Sequence, residues 1–600
     1  MSIPFSIINT ETMRSIQNAI LIGVLSLFLY VYCKVNTEPK VAKAGYSNAK
    51  RDDKEDPEIN KDYYKAREFN KYAVAADNVI CSRMGKDILR QGGNAADAIV
   101  TTHCCTEIIN SHSTGLGGGG FLLYYDKDTN KATSYNFREV LPEKYVEGIN
   151  KTAGETVLVP GVLRGLEAVH QDYGKLEWKE LWKPCINLAE KGFRIHHALE
   201  MAIAHKAMFI HRNLGLKELY APDGFKLKKG DLLKRTKLAK TYRLIADKGA
   251  KEFYEGEMAK QIVADLKQHG GKMSLEDLKK YQVIKEETPI HIKLKGMDMY
   301  STSAPSSGAW LALCLKVIEN LDMTAKKYKK NPTRIYHQFV EAFKYSYAAA
   351  SYLSDTKFNK NANKIEQWML KPETAKEIAQ RIDDHSYQVE HYQPYSKAFL
   401  EDKKGTTHMG ALDAHGSAVS LTSSINAYFG SKIRSRVLGF MYNNELADFS
   451  EFWPQLYNLT RDEKIPGKRP ISRSMPTIFV KNKEVQGVFG AAGGAFIPTA
   501  MSTVLSNWLF FNDNLKVAIT RPRIHSQLFP PTVLYEKTLP PEIVTSLTKN
   551  FGHVSITNDT YDVSGQPDAI LGVVQAIVRT PAGKLAAECD YRKGGAPDGA

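Results

Sequence analysis

Gly405-Thr406-Thr407-His408 stands just ahead of the alternating, strand-like run Ser417 to Ser423, and the fold follows from how that junction is read. A glycine before a hydroxyl residue is ordinary turn chemistry. A second reading makes Thr406 a latent N-terminus inside a precursor. Breaking the Gly405–Thr406 bond gives Thr406 a free α-amine beside its own hydroxyl, which places nucleophile and general base on one residue. Such a threonine can attack an amide carbonyl.

The residues downstream favour the second reading. Ser424 and Asn426 follow in one short segment, then Asn443, Asn444, Glu445 and Asp448, then Ser472, and finally Gly493-Gly494. Acids, amides and hydroxyls can bind an ammonium group and a carboxylate, and paired glycine N–H groups can face a developing oxyanion. The pattern fits a site for an amino-acid amide.

Longer motifs extend the argument over most of the chain: Gly92-Gly93-Asn94-Ala95-Ala96-Asp97-Ala98, Asn110-Ser111-His112-Ser113-Thr114-Gly115-Leu116-Gly117-Gly118-Gly119 and Phe137-Arg138-Glu139-Val140-Leu141-Pro142. The second half adds Phe429-Gly430-Ser431-Lys432, Asn443-Asn444-Glu445, Pro466-Gly467-Lys468, Gly490-Ala491-Ala492-Gly493-Gly494 and Arg592-Lys593-Gly594-Gly595. In this order the motifs resemble the γ-glutamyltransferase family, from about Lys71 to the C-terminus. The resemblance implies an α+β body, a four-layer αββα sandwich of the N-terminal-nucleophile hydrolase type.

Size and charge set looser bounds. Single cores rarely grow beyond roughly 250 to 300 residues, yet no Pro/Gly/Ser linker interrupts the 600-residue chain after Lys71, so one large body is expected. The formal charge is +15 and the pI about 9.1. No RNA-binding signature, basic heptad helix or zinc-finger spacing accompanies that charge, which argues against nucleic acid as a partner. Residues 16–35 are predominantly apolar and near the roughly 20-residue length of a membrane span. They end in Tyr30-Val31-Tyr32-Cys33 rather than in small residues, which favours an uncleaved signal anchor over a cleaved signal peptide. The expected organisation is a cytoplasmic tail (1–15), an anchor in the lipid bilayer (16–35), a polar stalk (36–70) and the body. Flanking charge, with Arg14 before the span and Lys34, Lys40 and Lys43 after it, taken literally favours the opposite topology. Only the resemblance puts the body outside the plasma membrane as a type II protein, or in the medium if the anchor is cut. Asn150, Asn458 and Asn558 stand in glycosylation acceptor triplets, which agrees with secretory passage.

The seven cysteines are too sparse for a disulfide scaffold and show no metal spacing. The resemblance implies one bridge, Cys81–Cys105, and the other cysteines are expected as free core residues. Ser82–Arg90 and Ala95–Asn110 read as a helical pair broken by Gly92 and Gly93. Gly115 to Gly120 satisfies the letter of the dinucleotide fingerprint, but a strand, Phe121 to Tyr125, follows it where a helix is required. It reads as a loop of close backbone approach. From Gly161 to Ala350 the chain reads as mostly amphipathic helix, including Leu238–Asp247 and Glu257–Gln268. Beyond Thr406 it reads as strands, with Thr477–Val480 pairing Val485–Gly490 across Lys481-Asn482-Lys483, and Ile570–Arg579 turning at Pro581-Ala582-Gly583. Helices and strands are thus expected in separate stretches.

Carried over residue by residue, the resemblance implies self-scission into a large piece (71–405 with its leader) and a small piece of 195 residues, 406–600. Thr406 would be the nucleophile, Ser424 would hydrogen-bond its amine, and Gly493 and Gly494 would hold the oxyanion. Arg138 and Ser472 would bind the α-carboxylate of a glutamyl donor such as glutathione, and Asn426, Glu445 and Asp448 its ammonium. Water, an amino acid or a dipeptide would accept the glutamyl group, with no cofactor and no metal. Two departures stand out. Ser424 replaces a threonine common in the family, and Arg473 falls where a second serine is usual, with Ser474 offered by a shifted register. Pointing into the site, Arg473 either strengthens carboxylate binding or crowds the ligand; pointing outward, it leaves one carboxylate and oxyanion support missing. The segment between Asp448 and Ser472 lacks a match to the family's aromatic lid. A related acylase and a non-catalytic binding protein are the rival readings.

Overall fold

The computed structural model describes residues 67–145, 152–392, 405–449, 463–554, 556–557 and 571–600. The proposed anchor and stalk lie outside them, as do Asn150, Asn458 and Asn558. Among the described residues no helix is long and apolar enough to cross a membrane.

Two seven-stranded antiparallel sheets organise the molecule. The first runs, in spatial order, Arg67–Phe69, Leu585–Cys589, Val573–Arg579, Glu484–Ala492, Thr477–Lys481, Met297–Ser301 and Ile290–Leu294. The second runs Asp598–Gly599, Ala73–Ala76, Thr406–Leu412, Ala418–Ser424, Gly119–Asp126, Lys131–Asn136 and Ile284–Glu286. Side chains alternate across a strand, so a strand buried on both faces feeds two cores. Leu122, Tyr124, Met409 and Ala411 enter one helical core, and their neighbours Leu123, Tyr125 and Leu412 enter the core between the sheets. On the first sheet, Phe479, Phe489 and Ala576 face a second helical core, while Ile478, Val488 and Ile577 meet the second sheet. The outcome is four layers: helix, sheet, sheet, helix.

The helices over the second sheet include Val79–Arg90 and Ala95–Ile109. Asn94 and Asp97 form a capping box at the start of the latter, which satisfies N–H groups that the helix leaves open. Gly308–Asn320, Pro332–Ala350 and Ile497–Leu509 cover the first sheet. The glycine run is a place of close approach. A Cβ on Gly117 would sit 2.0 Å from the Met441 carbonyl oxygen, and one on Gly118 would sit 2.1 Å from that of Ser424.

The hairpin after Thr477 pairs the expected segments, with Thr477 opposite Phe489 and Lys481 opposite Glu484. Its turn residues Asn482 and Lys483 both take positive φ, 51° and 65°, which suits the twist of a tight hairpin. Two expectations need correction. Helix and strand are not segregated, because Ile290–Leu294 and Met297–Ser301 form a hairpin within the stretch read as helical. Both sheets also contain strands from before and after Gly405. The cysteines outside the expected pair are not all free. Besides Cys81–Cys105, a second disulfide joins Cys104 to Cys185, and Cys314 and Cys589 are the buried free thiols. Cys33 lies outside the described residues.

Candidate active site

Thr406 opens its strand directly opposite Ser424 on the neighbouring one, and Ser424 in turn lies opposite Gly119. That register brings the two hydroxyl oxygens to 3.2 Å. Ser424 also donates to the Gly405 carbonyl at 3.1 Å and accepts from the Asn426 amide at 2.7 Å. The carbonyl expected to be attacked is therefore already polarised by a fixed hydroxyl. Gly405 is needed for space. A Cβ there would sit 2.2 Å from the Asn426 carbonyl oxygen and 2.6 Å from that of Ala427. Asn426 has φ of 70°, a left-handed conformation that asparagine tolerates better than most residues.

Behind the nucleophile lies a polar brace that sequence reading left without a role. Lys593 donates to the Thr406 carbonyl at 2.9 Å and also pairs with Asp77. Asp77 further accepts from the Thr407 hydroxyl at 2.6 Å and from Gln575. The available signal was the Arg592-Lys593-Gly594-Gly595 motif. Asp77 carried none.

One cleft is lined by Thr406, Ser424, Asn426, Arg138, Asp448, Ser472, Arg473, Ser474 and Gly494, with Ile471, Ala495 and Ile497 beside them. Gly494 has φ of 59° and Gly493, one residue behind it, φ of 123°, both in the range that disfavours a side chain. Arg138 is buried and engaged on every side. Nη1 lies 3.0 Å from Glu445 and 3.5 Å from Glu139, and Nη2 lies 2.5 Å from Asp448 and 2.9 Å from the Ile471 carbonyl. Nε donates to the Pro470 carbonyl at 3.3 Å. Burial opposes its charge, and Glu445, Glu139 and Asp448 more than offset that, so its pKa is raised. Burial raises the pKa of Glu445 despite Arg138. Asn426 completes the group by donating to Asp448 at 3.0 Å. Asn443 anchors the loop through Gly117 and Leu158.

Arg473 lines this cleft, which answers the sequence's question of inward or outward. Ser472 and Ser474 flank it, with their hydroxyls 3.1 Å apart. Among the described residues one group, His337, Glu341 and His553, has side chains able to hold a metal ion. Glu341 already accepts from Lys344 at 3.0 Å and from the Tyr392 hydroxyl at 2.6 Å. None of the three lines the cleft.

The family model described as gamma-glutamyltranspeptidase matches residues 81–600. The chain belongs to the gamma-glutamyltranspeptidase family. Among its relatives, Scoloptoxin SSD14 of Scolopendra dehaani is 35% identical over 88% of this chain and 92% of that protein. The glutathione hydrolase proenzyme of Arthroderma benhamiae is 33% identical over 82% and 91%. Glutathione hydrolase 5 proenzyme of Mus musculus is 31% identical over 76% and 82%. A solved structure of cephalosporin acylase from Bacillus halodurans superposes with a TM-score of 0.76, at 23% identity, over 89% of this chain and 97% of that one. At that identity the likeness concerns the fold alone.

Proposed function

We propose that the chain is a self-processing γ-glutamyltransferase, a glutathione hydrolase. The Thr406 hydroxyl attacks the Gly405 carbonyl, the C–N bond between them breaks, and the glycyl group passes to the hydroxyl as an ester. Water cleaves the ester, leaving a Gly405 carboxylate and a free Thr406 amine. The freed residue then attacks the γ-carbonyl of glutathione or a related γ-glutamyl compound, with its amine as base and the Gly493 and Gly494 amides toward the oxyanion. Water, an amino acid or a dipeptide resolves the glutamyl ester. Asn426, Glu445 and Asp448 receive the donor ammonium, and Arg138, Ser472 and Arg473 lie on the side of its carboxylate.

The observation that carries this reading is a coincidence within one cleft. Thr406 sits opposite a serine that already donates to the Gly405 carbonyl, and the acid, amide and guanidinium groups needed for an amino-acid head line the same space. The glutathione hydrolase relatives support the same substrate class. Two disulfides in the body support an oxidising compartment, and with the apolar residues 16–35 they favour a type II membrane protein whose body lies outside the cell. The test is processing together with turnover. Denaturing electrophoresis of purified protein should give two chains, the smaller beginning Thr-Thr-His-Met, and glutathione should release glutamate. Thr406→Ala should stay uncut and inactive. An intact wild-type chain that still turns over glutathione would overturn the reading.

A further inference from the structure

Of the twelve exposed large apolar side chains among the described residues, six lie within 32 positions: Met201, Met208, Phe209, Leu214, Phe225 and Leu232. Apolar side chains scattered singly over a surface need no explanation, whereas a concentration of this kind marks a contact surface. Phe225 is 83% exposed, the most of the six. None of them lines the cleft.

The segment that carries them is well folded. Its helices run His197–His205, Ala207–Arg212 and Leu214–Tyr220, and they turn Leu199, Ile203, Ile210 and Leu216 into the helical core. A surface helix normally presents polar residues away from its core. Here Met201, Met208 and Phe209 are exposed instead. Beyond Tyr220 the chain is held against the same segment. The Leu227 amide donates to the Tyr220 carbonyl at 2.8 Å, the Gly230 amide donates to the Ile195 carbonyl at 2.8 Å, and Phe193–Arg194 pairs with Leu232–Leu233. The backbone on both sides of Phe225 is thereby tied to the helical segment.

Lysines are interspersed with the apolar groups. Residues 197–234 hold seven Lys and Arg against four acids. Lys217, Lys228, Lys229 and Lys234 are exposed and make no ion pair among the described residues, whereas Glu218 is shared by Lys237 and Arg436. Lysine stems can lie along apolar material while their ammonium heads stay among polar groups. Protruding Phe, Met and Leu side chains among lysines suit an anionic bilayer, whose acyl boundary takes the former and whose headgroups meet the latter. A second copy of this chain would set lysine against lysine. A protein partner would need a relief matched to each protrusion, which a fluid bilayer does not.

We infer that the surface formed by residues 201–234 docks onto a bilayer bearing anionic headgroups, with Met208, Phe209 and Phe225 entering its apolar zone. This surface is separate from the reaction proposed above and does not depend on it.

Residues 16–35 are expected to hold the full chain in lipid whatever the body does, so the test reads side-chain burial rather than attachment. Hydroxyl-radical footprinting with mass spectrometry compares oxidation of Met208 and Phe225 with that of Tyr387, which is exposed outside the segment. The full chain is placed in detergent, in phosphatidylcholine nanodiscs, and in discs with about a third of the lipid as phosphatidylserine. Relative to Tyr387, oxidation of the pair should fall at least about tenfold in the anionic discs, the scale set by a few lysines at an anionic leaflet, and less than about twofold in the neutral ones. Lys228→Glu combined with Lys229→Glu should return the anionic value to the neutral one. So should salt near 1 M on wild type, where the screening length is about 3 Å. An unchanged melting temperature reports that the variant is folded, and the salt arm decides if it is not. Equal oxidation in all three samples would overturn the inference and leave the surface to a protein partner. Equal protection in neutral discs, or protection that survives both charge reversal and salt, would also overturn it. Protection in detergent that grows with protein concentration would overturn it in favour of a second copy.

Discussion

The two walls of the cleft are built differently. The wall bearing Thr406 and Ser424 is regular sheet, with each hydroxyl placed by strand register and a charged contact, Lys593, approaching from behind. The facing wall is loop and short turn. Glu445 and Asp448 lie in a single turn of 3-10 helix, and residues 472–474 lie in irregular chain pinned by Pro305 and Ser307. There, buried charges take over the ordering that backbone pairing supplies on the first wall. On the proposed function, sheet geometry sets the reaction chemistry, and an ion network that single residues can retune recognises the donor head. Loops on a rigid scaffold commonly carry such variation.

If the walls are separable in this way, substitutions should sort by side. Gly405→Ala should reduce processing below detection on gels, because its methyl meets main-chain atoms that cannot move aside. Asp448→Asn should raise KM for γ-glutamyl donors by about 100-fold with self-scission still complete, and a scission defect there would mean that the walls are coupled. Ser424→Ala should slow scission by roughly 10- to 100-fold in pulse-chase electrophoresis, because Gly405 loses its donor, while the melting temperature stays put.

A smaller effect concerns the support of the loop wall. Glu366 accepts from the Ala304 amide at 2.7 Å, next to the Pro305 that holds Ser472, and burial pushes its pKa up to about 7. The folded state thus favours the protonated acid. Its contribution to stability is complete below the unfolded value near 4.5 and is lost as pH rises through about 7. Glu366→Gln, which stays neutral, should flatten the decline in unfolding free energy from urea titrations over that window, by a gap of roughly 3 kcal/mol at pH 8.

Much of the scaffold was legible in the chain. The strand at Phe121, the helical pair around Gly92-Gly93 and the hairpin after Thr477 rest on local period and turn residues, and they stand in the structure as Gly119–Asp126, Val79–Arg90 with Ala95–Ile109, and Thr477–Lys481 with Glu484–Ala492. The hairpin Ile290–Ser301 was missed although Ile290, Ile292 and Leu294 alternate, because the helices around it dominated the reading. The Cys104–Cys185 bridge was illegible, since spacing carries no information about which cysteines meet. Motif order alone brought Thr406, Ser424, Asn426, Arg138 and Asp448 to one place. The contact of Lys593 with the Thr406 carbonyl spans 187 positions, and nothing local announces it.

Residue order therefore settled which chemistry is on offer: a latent threonine terminus, a glycine before it with no room for a side chain, and an inventory of groups fit for an amino-acid head. Folding settled which of those groups remain available. Arg138 and Arg473 are the same residue type in one cleft, yet packing surrounds the first with Glu139, Glu445 and Asp448 and leaves two nitrogens of the second without hydrogen-bond partners among the described residues. Helix and strand periodicity arise from neighbours along the chain. The pairing of buried charges arises from neighbours in space, brought together by layers that no local stretch encodes.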